Sequence, residues 1–384
     1  MERVWCSLES VGGAKLIRLS KSCIGDAEKL AVMHVLDQGY LGMGDEVQRF
    51  EQALGEFFGR PVVCVFNGTA ALHLALVACG IGVGDEVLVQ SLTYIASYQA
   101  ISATGATPVS CDVESTTLTF DWRDAEKRLT PKTKAIMPVH YSGSVGRLDE
   151  IYAFANKYNL RVIEDAAHAF GTIYKSRRIG GFSDIACFSF DGIKNITSGE
   201  GGCIVTEDPV VLQKVRDARL LGVEKDTEMR YSGLRSWNFD VHCQGWRYHM
   251  SNIMAAIGIE QLKKFPQFAK RRQDLARMYD DLFFKCNLLQ LQQNDYAAVV
   301  PHIYVVRLSN LINRAELQKK LLDCGIQTGV HYQPNHTLTY YKNEKNLPLP
   351  NTESIYPKLL TLPLHPDLTD SDINYVAKTL MSIL

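Results

Sequence analysis

One lysine of this chain lies in a loop rich in glycine, serine and threonine, directly after an apolar run. The segment is FSFDGIKNITSGEGG, with Ser189 near the end of the run and Lys194 in the loop. Most lysines are solvated surface charges. A lysine amine can also bond covalently to a carbonyl group or carry a proton, provided that other groups support this chemistry. Lys194 is therefore a candidate catalytic residue if such groups converge on it.

An acidic pair follows another apolar run, in the segment RVIEDAAHAFG. The run at 160–164 predicts a strand that ends with Glu164 and Asp165 at its carboxyl edge. A lone acid at a strand end is usually a surface charge. Ligands of open α/β sheets nevertheless bind at this edge of the sheet. Asp165 is thus placed where a bound ligand would meet it.

A third segment, FNGTAALHLAL, predicts a strand, a turn at Asn67-Gly68 and a helix that begins with Thr69 and Ala70. Helix N-termini bind phosphate through free N–H groups and the helix dipole. Many loops share this pattern, so the motif is weak evidence when it stands alone.

The three segments together meet the requirements of pyridoxal phosphate (PLP). This cofactor needs a lysine for its Schiff base, an acid beside its pyridine nitrogen and an anion cradle for its phosphate. A carboxylate beside the nitrogen favours the protonated ring, typically by about one to three pKa units. The protonated ring can then stabilise the carbanion that forms when a proton leaves carbon.

Short apolar runs alternate with helical patterns up to about residue 207. Almost continuously apolar strands of this kind indicate a mostly parallel sheet with helices on both faces. The link between the last two strands is too short for a helical crossover, so the last strand is expected to be antiparallel to its neighbour. Helices are expected at 69–79, 94–104, 121–129 and 148–158, and strands at 62–66, 86–90, 108–113, 135–140, 160–164, 185–190 and 202–207.

The pattern changes after residue 250. A helix is predicted at 252–265, and Pro266 is expected to interrupt it before a second charged helix. Two domains follow from this division, a large α/β domain at 1–262 and a smaller α+β domain at 263–384. The smaller domain is predicted to contain strands at 302–308 and 325–332 and helices at 315–324 and 369–383.

Composition excludes several functional classes. The formal net charge of −1 gives no basic excess for nucleic acid or anionic lipid. The chain has no run of eighteen apolar residues, and its N-terminus lacks the apolar core of a signal peptide, so we expect no membrane span and a cytoplasmic location. None of the ten cysteines forms a CxxC pair, which favours free thiols such as Cys64 and Cys187 and no metal site.

Taken in order, several segments resemble the DegT/DnrJ/EryC1/StrS family of PLP-dependent nucleotide-sugar aminotransferases. The resemblance runs from about residue 17 to residue 384 and implies PLP fold type I, with a seven-stranded sheet in the large domain. The segments that carry it are NGTAALHLAL, DEVLVQSLTYIAS, GATPVSCDV, AIMPVHYSG, VIEDAAHAFG, SFDGIKNITSGEGG and GWRYHMSNIMAAIG.

The resemblance implies roles for individual residues. Lys194 corresponds to the Schiff-base lysine and Asp165 to the partner of the pyridine nitrogen. His168 corresponds to a Gln or His near the cofactor hydroxyl, and Tyr94 to an aromatic residue that stacks on the ring. The phosphate cup corresponds to Ser189, Thr69 and Ala70.

The segment GWRYHM departs from the family pattern, which is commonly GYNYRM. Arg247 replaces the usual Asn, whose side chain reaches the phosphate of the neighbouring subunit, and His249 replaces the usual Arg. A basic residue could still bind phosphate. The resemblance therefore implies an obligatory homodimer with shared active sites. It also implies that His331 and Tyr332 face the substrate, whereas His140 and Glu200 are expected to support the structure.

These correspondences imply an aminotransferase that moves an amino group from L-glutamate to a nucleotide-linked keto-6-deoxy sugar, for example on a route to lipopolysaccharide O-antigen. The segment DAAHAFG, with Phe170, favours amination at C-4 over C-3. A cyclitol ketone remains an alternative acceptor. A sugar dehydratase of the same fold would have lost Lys194. A catalytically inactive binding protein is a further alternative, and a nicotinamide-dependent dehydrogenase would need GxGxxG after the first strand.

Overall fold

Seven strands form the central sheet of the computed structural model, which describes residues 10–11, 14–234, 237–343 and 347–384. Six strands are parallel, and β11 pairs antiparallel with both of its neighbours, as the short link predicted. The mostly parallel α/β sheet is confirmed. Its spatial order is β3 (Val62–Val65), β11 (Gly202–Val205), β10 (Ile185–Ser189), β7 (Arg161–Asp165), β6 (Thr133–Met137), β4 (Glu86–Gln90) and β5 (Thr107–Cys111).

Helices cover both faces of this sheet because its strands are apolar on both sides. In β10, Ile185 and Cys187 belong to one apolar cluster, and Ala186 and Phe188 belong to the other. This alternation follows from the two-residue period of a strand. The helices of the large domain are α1 (Asp26–Gln38), α2 (Asp45–Phe58), α3 (Gly68–Ala78), α4 (Ile95–Ala103), α5 (Trp122–Glu126), α6 (Leu148–Tyr158), α7 (Pro209–Ala218) and α8 (Asp226–Tyr231).

The long helix α9 (Asn252–Phe283) connects the large and small domains. It continues through Pro266, so the expected interruption at this residue is wrong. Proline removes one backbone hydrogen bond, but packing at both ends of α9 keeps the helix continuous. Gly258 lies so close to Phe50 of α2 that an added Cβ would stand 2.5 Å from the ring. At the other end, Tyr279 is buried in the small domain.

A three-stranded antiparallel sheet forms the core of the small domain, where β13 (Tyr304–Leu308) lies between β12 (Leu289–Leu291) and β14 (Leu359–Leu362). The predicted strand at 325–332 is wrong. This segment makes only isolated bridges, from Ile326 to Ile17 and from Gly329 to Thr361 at the outer edge of β14, and these do not form a continuous ladder. Among the described residues, the other α-helices are α10 (Arg314–Asp323), α11 (Pro350–Ile355) and α12 (Asp370–Ile383), and the other strands form two hairpins, β1 (Ser10–Val11) with β2 (Ala14–Lys15) and β8 (Ile173–Tyr174) with β9 (Arg177–Arg178).

Within the described residues, the helices include none with the length and apolar character needed to cross a membrane. The cysteines in the same part of the chain are free thiols, whereas Cys6 lies outside the described residues.

Candidate active site

A cavity of about 440 Å³ lies at the carboxyl edge of the large sheet, where β7 and β10 end, and the segment 331–332 also lines it. This volume is within the range of small-molecule sites. Ala70 and Arg247 are not among its lining residues. Eight residues predicted from the sequence line it together, namely Thr69, Tyr94, Asp165, His168, Ser189, Lys194, His331 and Tyr332.

The first turn of α3 closes one end of the cavity. Asn67 is the N-cap, and its side chain accepts the N–H of Ala70 at 2.8 Å. Ala70 is itself buried, so its N–H serves this cap in the structure. A Cβ at Gly68 would lie only 2.7 Å from the Cβ of Ser189. Glycine therefore lets the helix N-terminus approach the end of β10 and leaves a cradle for an anion beside Thr69 and Ser189.

Asp165 ends β7 with its side chain buried in the cavity wall. Its carboxylate accepts hydrogen bonds from the Ser97 hydroxyl at 2.7 Å and from the N–H of Ala167 at 3.2 Å. Ser97 lies in the first turn of α4 and was not singled out from the sequence, because a serine near a helix start has many ordinary uses. Tyr94, the N-cap of α4, is exposed, with its ring 5.6 Å from that of Tyr332.

Lys194 lies in the loop after β10, and its backbone N–H donates to the carbonyl of Asp191 at 3.0 Å. Burial lowers the pKa of its amine to about 8, although the charge of Asp165 opposes this shift. At neutral pH about a tenth of such an amine is neutral, far more than for a solvated lysine. The side chain is therefore suited to nucleophilic attack and to proton transfer.

Neutral histidines surround this amine. The Nε2 atom of His302 lies 3.4 Å from Nζ of Lys194. Burial holds the pKa of His302 and of His168 well below the usual histidine value, and the charge of Lys194 acts in the same direction. His302 was not identified from the sequence, because it appears there only as the polar residue at the start of an apolar strand.

The tautomer of His168 follows from its two contacts. Its Nδ1 accepts the backbone N–H of Ser142 at 3.3 Å. The hydrogen of the neutral ring is therefore on Nε2, which lies 2.9 Å from the hydroxyl of Tyr332 and donates to it. His331 contacts Thr361 through Nδ1 at 2.8 Å, and burial lowers the pKa of His331 to about 4.

Several other predicted residues lie outside the cavity wall. His140 and Glu164 form a buried pair at 2.7 Å, and Tyr152 donates to the same carboxylate at 2.6 Å. Arg247 is exposed. Phe170 is buried in an aromatic cluster and is not a lining residue of the cavity.

His249 and Glu200 differ from each other in their position relative to the cavity. Burial lowers the pKa of His249 to about 4, with nearby arginines adding to the effect, and this residue does not line the cavity. Glu200 does line it, and burial raises the pKa of its carboxyl.

Taken together, an enclosed lysine, a buried carboxylate at a sheet edge and an anion cradle at a helix N-terminus define a cofactor site of the PLP type. The match with known proteins extends this conclusion. The DegT/DnrJ/EryC1/StrS aminotransferase family matches residues 22–381. The spore coat polysaccharide biosynthesis protein SpsC of Bacillus subtilis is 38% identical over 370 residues, 94% of this chain and 95% of SpsC.

Solved structures agree over nearly the whole chain. Spr1654 of Streptococcus pneumoniae, assigned as a sugar aminotransferase and solved in PMP and PLP forms, is 30% identical in its PMP form. That comparison covers 96% of this chain and 97% of Spr1654 with a TM-score of 0.89. PseC of Helicobacter pylori, an aminotransferase of pseudoaminic acid biosynthesis, is 27% identical with a TM-score of 0.88, covering 96% and 99% of the two chains.

The chain belongs to the DegT/DnrJ/EryC1/StrS aminotransferase family. It is a PLP-dependent sugar aminotransferase of fold type I, which takes an amino donor and a keto sugar.

Proposed function

We propose that this enzyme transfers the amino group of L-glutamate to a nucleotide-linked keto-6-deoxy sugar, at C-4. The observation that carries the catalytic part is the convergence of three groups on one cavity, namely the Lys194 amine, the Asp165 carboxylate and the N-terminus of α3. In this proposal Lys194 carries the cofactor. When bound, PLP supplies an electron sink for the carbon that loses its proton.

Asp165 keeps the proton on the pyridine nitrogen by its negative charge, because an adjacent carboxylate favours the protonated form. The hydroxyl of Ser97 and the N–H of Ala167 fix the carboxylate in place. In this proposal Asp165 acts only as the counter-ion of the ring, and Lys194 moves the proton.

Lys194 moves the proton in both half-reactions. Once the donor has displaced it, its amine takes a proton from the α-carbon of glutamate as that C–H bond breaks, and then returns a proton on the cofactor side. The same steps run in reverse on the keto sugar. The lowered pKa of Lys194 supports this role, since a general base works best with a pKa near the operating pH.

The cradle between Thr69 and Ser189 binds the cofactor phosphate, together with the N–H groups at the start of α3. Ala70 contributes through its backbone if the hydrogen bond to Asn67 gives way. Tyr94 covers one face of the ring, since its exposed side chain borders the cavity. His168 lines the same cavity and would lie near the ring hydroxyl.

His331 and Tyr332 contact the sugar, because they line the cavity on the side of the small domain. Buried hydroxyl and imidazole groups discriminate strongly between sugars that present or lack a matching hydroxyl. The preference for C-4 rests on the segment that contains His168 and Phe170. Phe170 is buried in the aromatic cluster, so any effect of Phe170 on the aminated position acts through the placement of His168.

A homodimer with shared active sites completes the proposal. Arg247 is exposed and lies outside its own cavity, which suits a contact with the phosphate in a partner subunit. The neighbouring segment exposes large apolar side chains, among them Trp237 at 87% and Phe239 at 57%. Exposed apolar clusters of this kind mark contact surfaces between proteins.

Substrate trials with L-glutamate test this function. We expect the visible band of the PLP-loaded enzyme to bleach on addition of L-glutamate. Addition of nucleotide-linked 4-keto-6-deoxy sugars should then restore the band and give a 4-amino product by NMR. Turnover with the 3-keto-6-deoxy isomer but not with the 4-keto sugar would contradict the C-4 assignment, and turnover only with a cyclitol ketone would contradict the sugar acceptor. If L-glutamate leaves the band unchanged, the assignment of L-glutamate as the amino donor is wrong. The absence of any band after adding PLP would indicate a catalytically inactive protein.

A further inference from the structure

His302 lies within hydrogen-bonding distance of the Lys194 amine. Its Nε2 lies 3.4 Å from Nζ of Lys194, near the long limit of a hydrogen bond, and its side chain is 3% exposed. The residue lies just before β13, so it comes from the small domain, whereas Lys194 lies on the large domain. The contact therefore joins the two domains at the reacting amine.

Three parts of the chain hold His302 in place. Its N–H donates to the carbonyl of Ser142 at 3.3 Å, and its own carbonyl accepts from the guanidinium of Arg272 on α9 at 3.0 Å. Its ring packs against that of His168 with centroids 4.4 Å apart. Contacts on the backbone and on the ring leave the imidazole little freedom to turn away from Lys194.

The charged and titratable groups around the ring favour a neutral imidazole. Lys194 faces it from the loop after β10, Arg272 from α9, His168 from the loop after β7 and His331 from the segment 331–332. The groups named are cationic or neutral, so a second positive charge on His302 would be repelled. A neutral ring with an unprotonated Nε2 can accept a hydrogen bond from the lysine.

The Nδ1 atom of His302 supports this reading. It is buried and has no hydrogen-bond partner among the described residues. Nε2 is therefore the ring nitrogen through which His302 makes a hydrogen bond in the described part of the chain, and its partner is Lys194.

We propose that His302 is a positioning residue that accepts a hydrogen bond from the free amine of Lys194 and holds it in one orientation during both half-reactions. The inference deepens the proposed function, since it requires Lys194 to be released from the cofactor by the donor. His302 neither gains nor loses a proton. The amine alone takes and returns the transferred proton, and His302 restricts the rotation of a long, flexible side chain.

Substitutions that keep or remove the acceptor test this role. His302→Phe removes it but keeps an aromatic ring, His302→Leu removes it with a non-aromatic side chain closer to histidine in volume, and His302→Gln keeps a polar atom near the Nε2 position. His73→Phe is the matched control, because His73 is also buried, lies outside the cavity wall and has no partner for either ring nitrogen among the described residues.

The first readout is the single-turnover rate of the PLP-loaded protein with L-glutamate. We expect His302→Phe and His302→Leu to slow this step about 10- to 100-fold without a matching change in glutamate affinity. His302→Gln should recover most of the rate, and His73→Phe should match the wild type. Wild-type rates in His302→Phe and His302→Leu would overturn the proposal.

The second readout needs no cofactor. Competitive acetylation of the cofactor-free protein, followed by peptide mass spectrometry, reports the pKa of the Lys194 amine. Loss of an acceptor for the ammonium form should lower this pKa in His302→Phe, and His302→Gln should restore it. Equal slowing in the Phe and Gln variants with an unchanged pKa would indicate a structural role and overturn the proposal. If the wild-type protein reacts with L-glutamate although its PLP is not attached to Lys194, the proposed function is wrong, and the inference about His302 is wrong with it.

Discussion

The Nε2 atom of His168 lies 2.9 Å from the hydroxyl of Tyr332, and this contact crosses from the sheet edge of the large domain to the segment that precedes β14 in the small domain. His168 lies in the loop after β7, close enough to Lys194 for the lysine charge to lower the pKa of the histidine. Tyr332 lines the same cavity. In the proposed mechanism, this hydrogen bond links the residue that contacts the sugar to the residue that lies near the cofactor hydroxyl.

Removal of this hydroxyl should weaken catalysis more than cofactor binding. We expect Tyr332→Phe to lower kcat/KM for the keto sugar about tenfold, the value of one lost hydrogen bond. Tyr340→Phe is the control, since Tyr340 is 78% exposed and outside the cavity wall. Steady-state kinetics at saturating L-glutamate would check this, and equal kcat/KM in both variants would contradict it.

Asp165→Asn should separate cofactor binding from chemistry. The amide keeps the shape of the side chain but lacks the charge that holds the ring proton, so kcat should fall about 10- to 1,000-fold. We expect PLP to remain bound. Asp149→Asn, at an exposed ion pair with Lys175, should leave kcat unchanged. Kinetics with a parallel count of bound PLP would test this, and wild-type turnover by Asp165→Asn would refute the electron-sink role of Asp165.

The pKa of Lys194 predicts a pH dependence of stability in the cofactor-free protein. Burial places this pKa at about 8 in the folded chain, whereas an unfolded lysine titrates at roughly 10.4. Between these values the unfolded chain binds the extra proton, so the contribution of Lys194 to stability rises with pH.

Lys194→Met removes this titration. The variant should be more stable than the wild type by about 3 kcal/mol at neutral pH, and this difference should shrink as the pH approaches about 10. Urea unfolding of both proteins at the two pH values measures it. A stability difference that does not change with pH would contradict the lowered pKa of the Lys194 amine.

The sequence predicted the elements that carry the site because their patterns are local. Strand and helix runs place Asp165, Ser189 and Thr69 at one sheet edge, and the parallel topology brings them together. Pro266 misled the helix prediction, since packing of α9 at both ends outweighs one lost hydrogen bond.

Contacts between distant segments could not be predicted in this way. His302 lies more than a hundred residues from Lys194 in sequence, and its side chain reaches the amine only through the packing of the small domain. Likewise, the role of Ser97 is visible only in the fold, where α4 places its hydroxyl against the carboxylate of Asp165. The segment 325–332 has the composition of a strand, but it meets the outer edge of β14 only in a single bridge at Gly329 and so forms no continuous ladder.

A mixture of two inactive variants tests whether the active sites are shared. If Arg247 serves the partner subunit, Lys194→Ala and Arg247→Glu should complement each other. Each mixed dimer would hold one intact site, so a random equal mixture should regain about a quarter of wild-type sites. Initial rates after subunit exchange measure this. Full activity of Arg247→Glu alone, or no recovery on mixing, would contradict a shared site.

The most direct test of the account is the site of cofactor attachment. The purified protein, loaded with PLP, is reduced with borohydride, digested and mapped by mass spectrometry. We expect the mass of the reduced pyridoxyl group on Lys194 and its loss from that peptide in Lys194→Ala. A label on another lysine, or no label despite a visible PLP band, would contradict the assignment of Lys194 and the mechanism built on it.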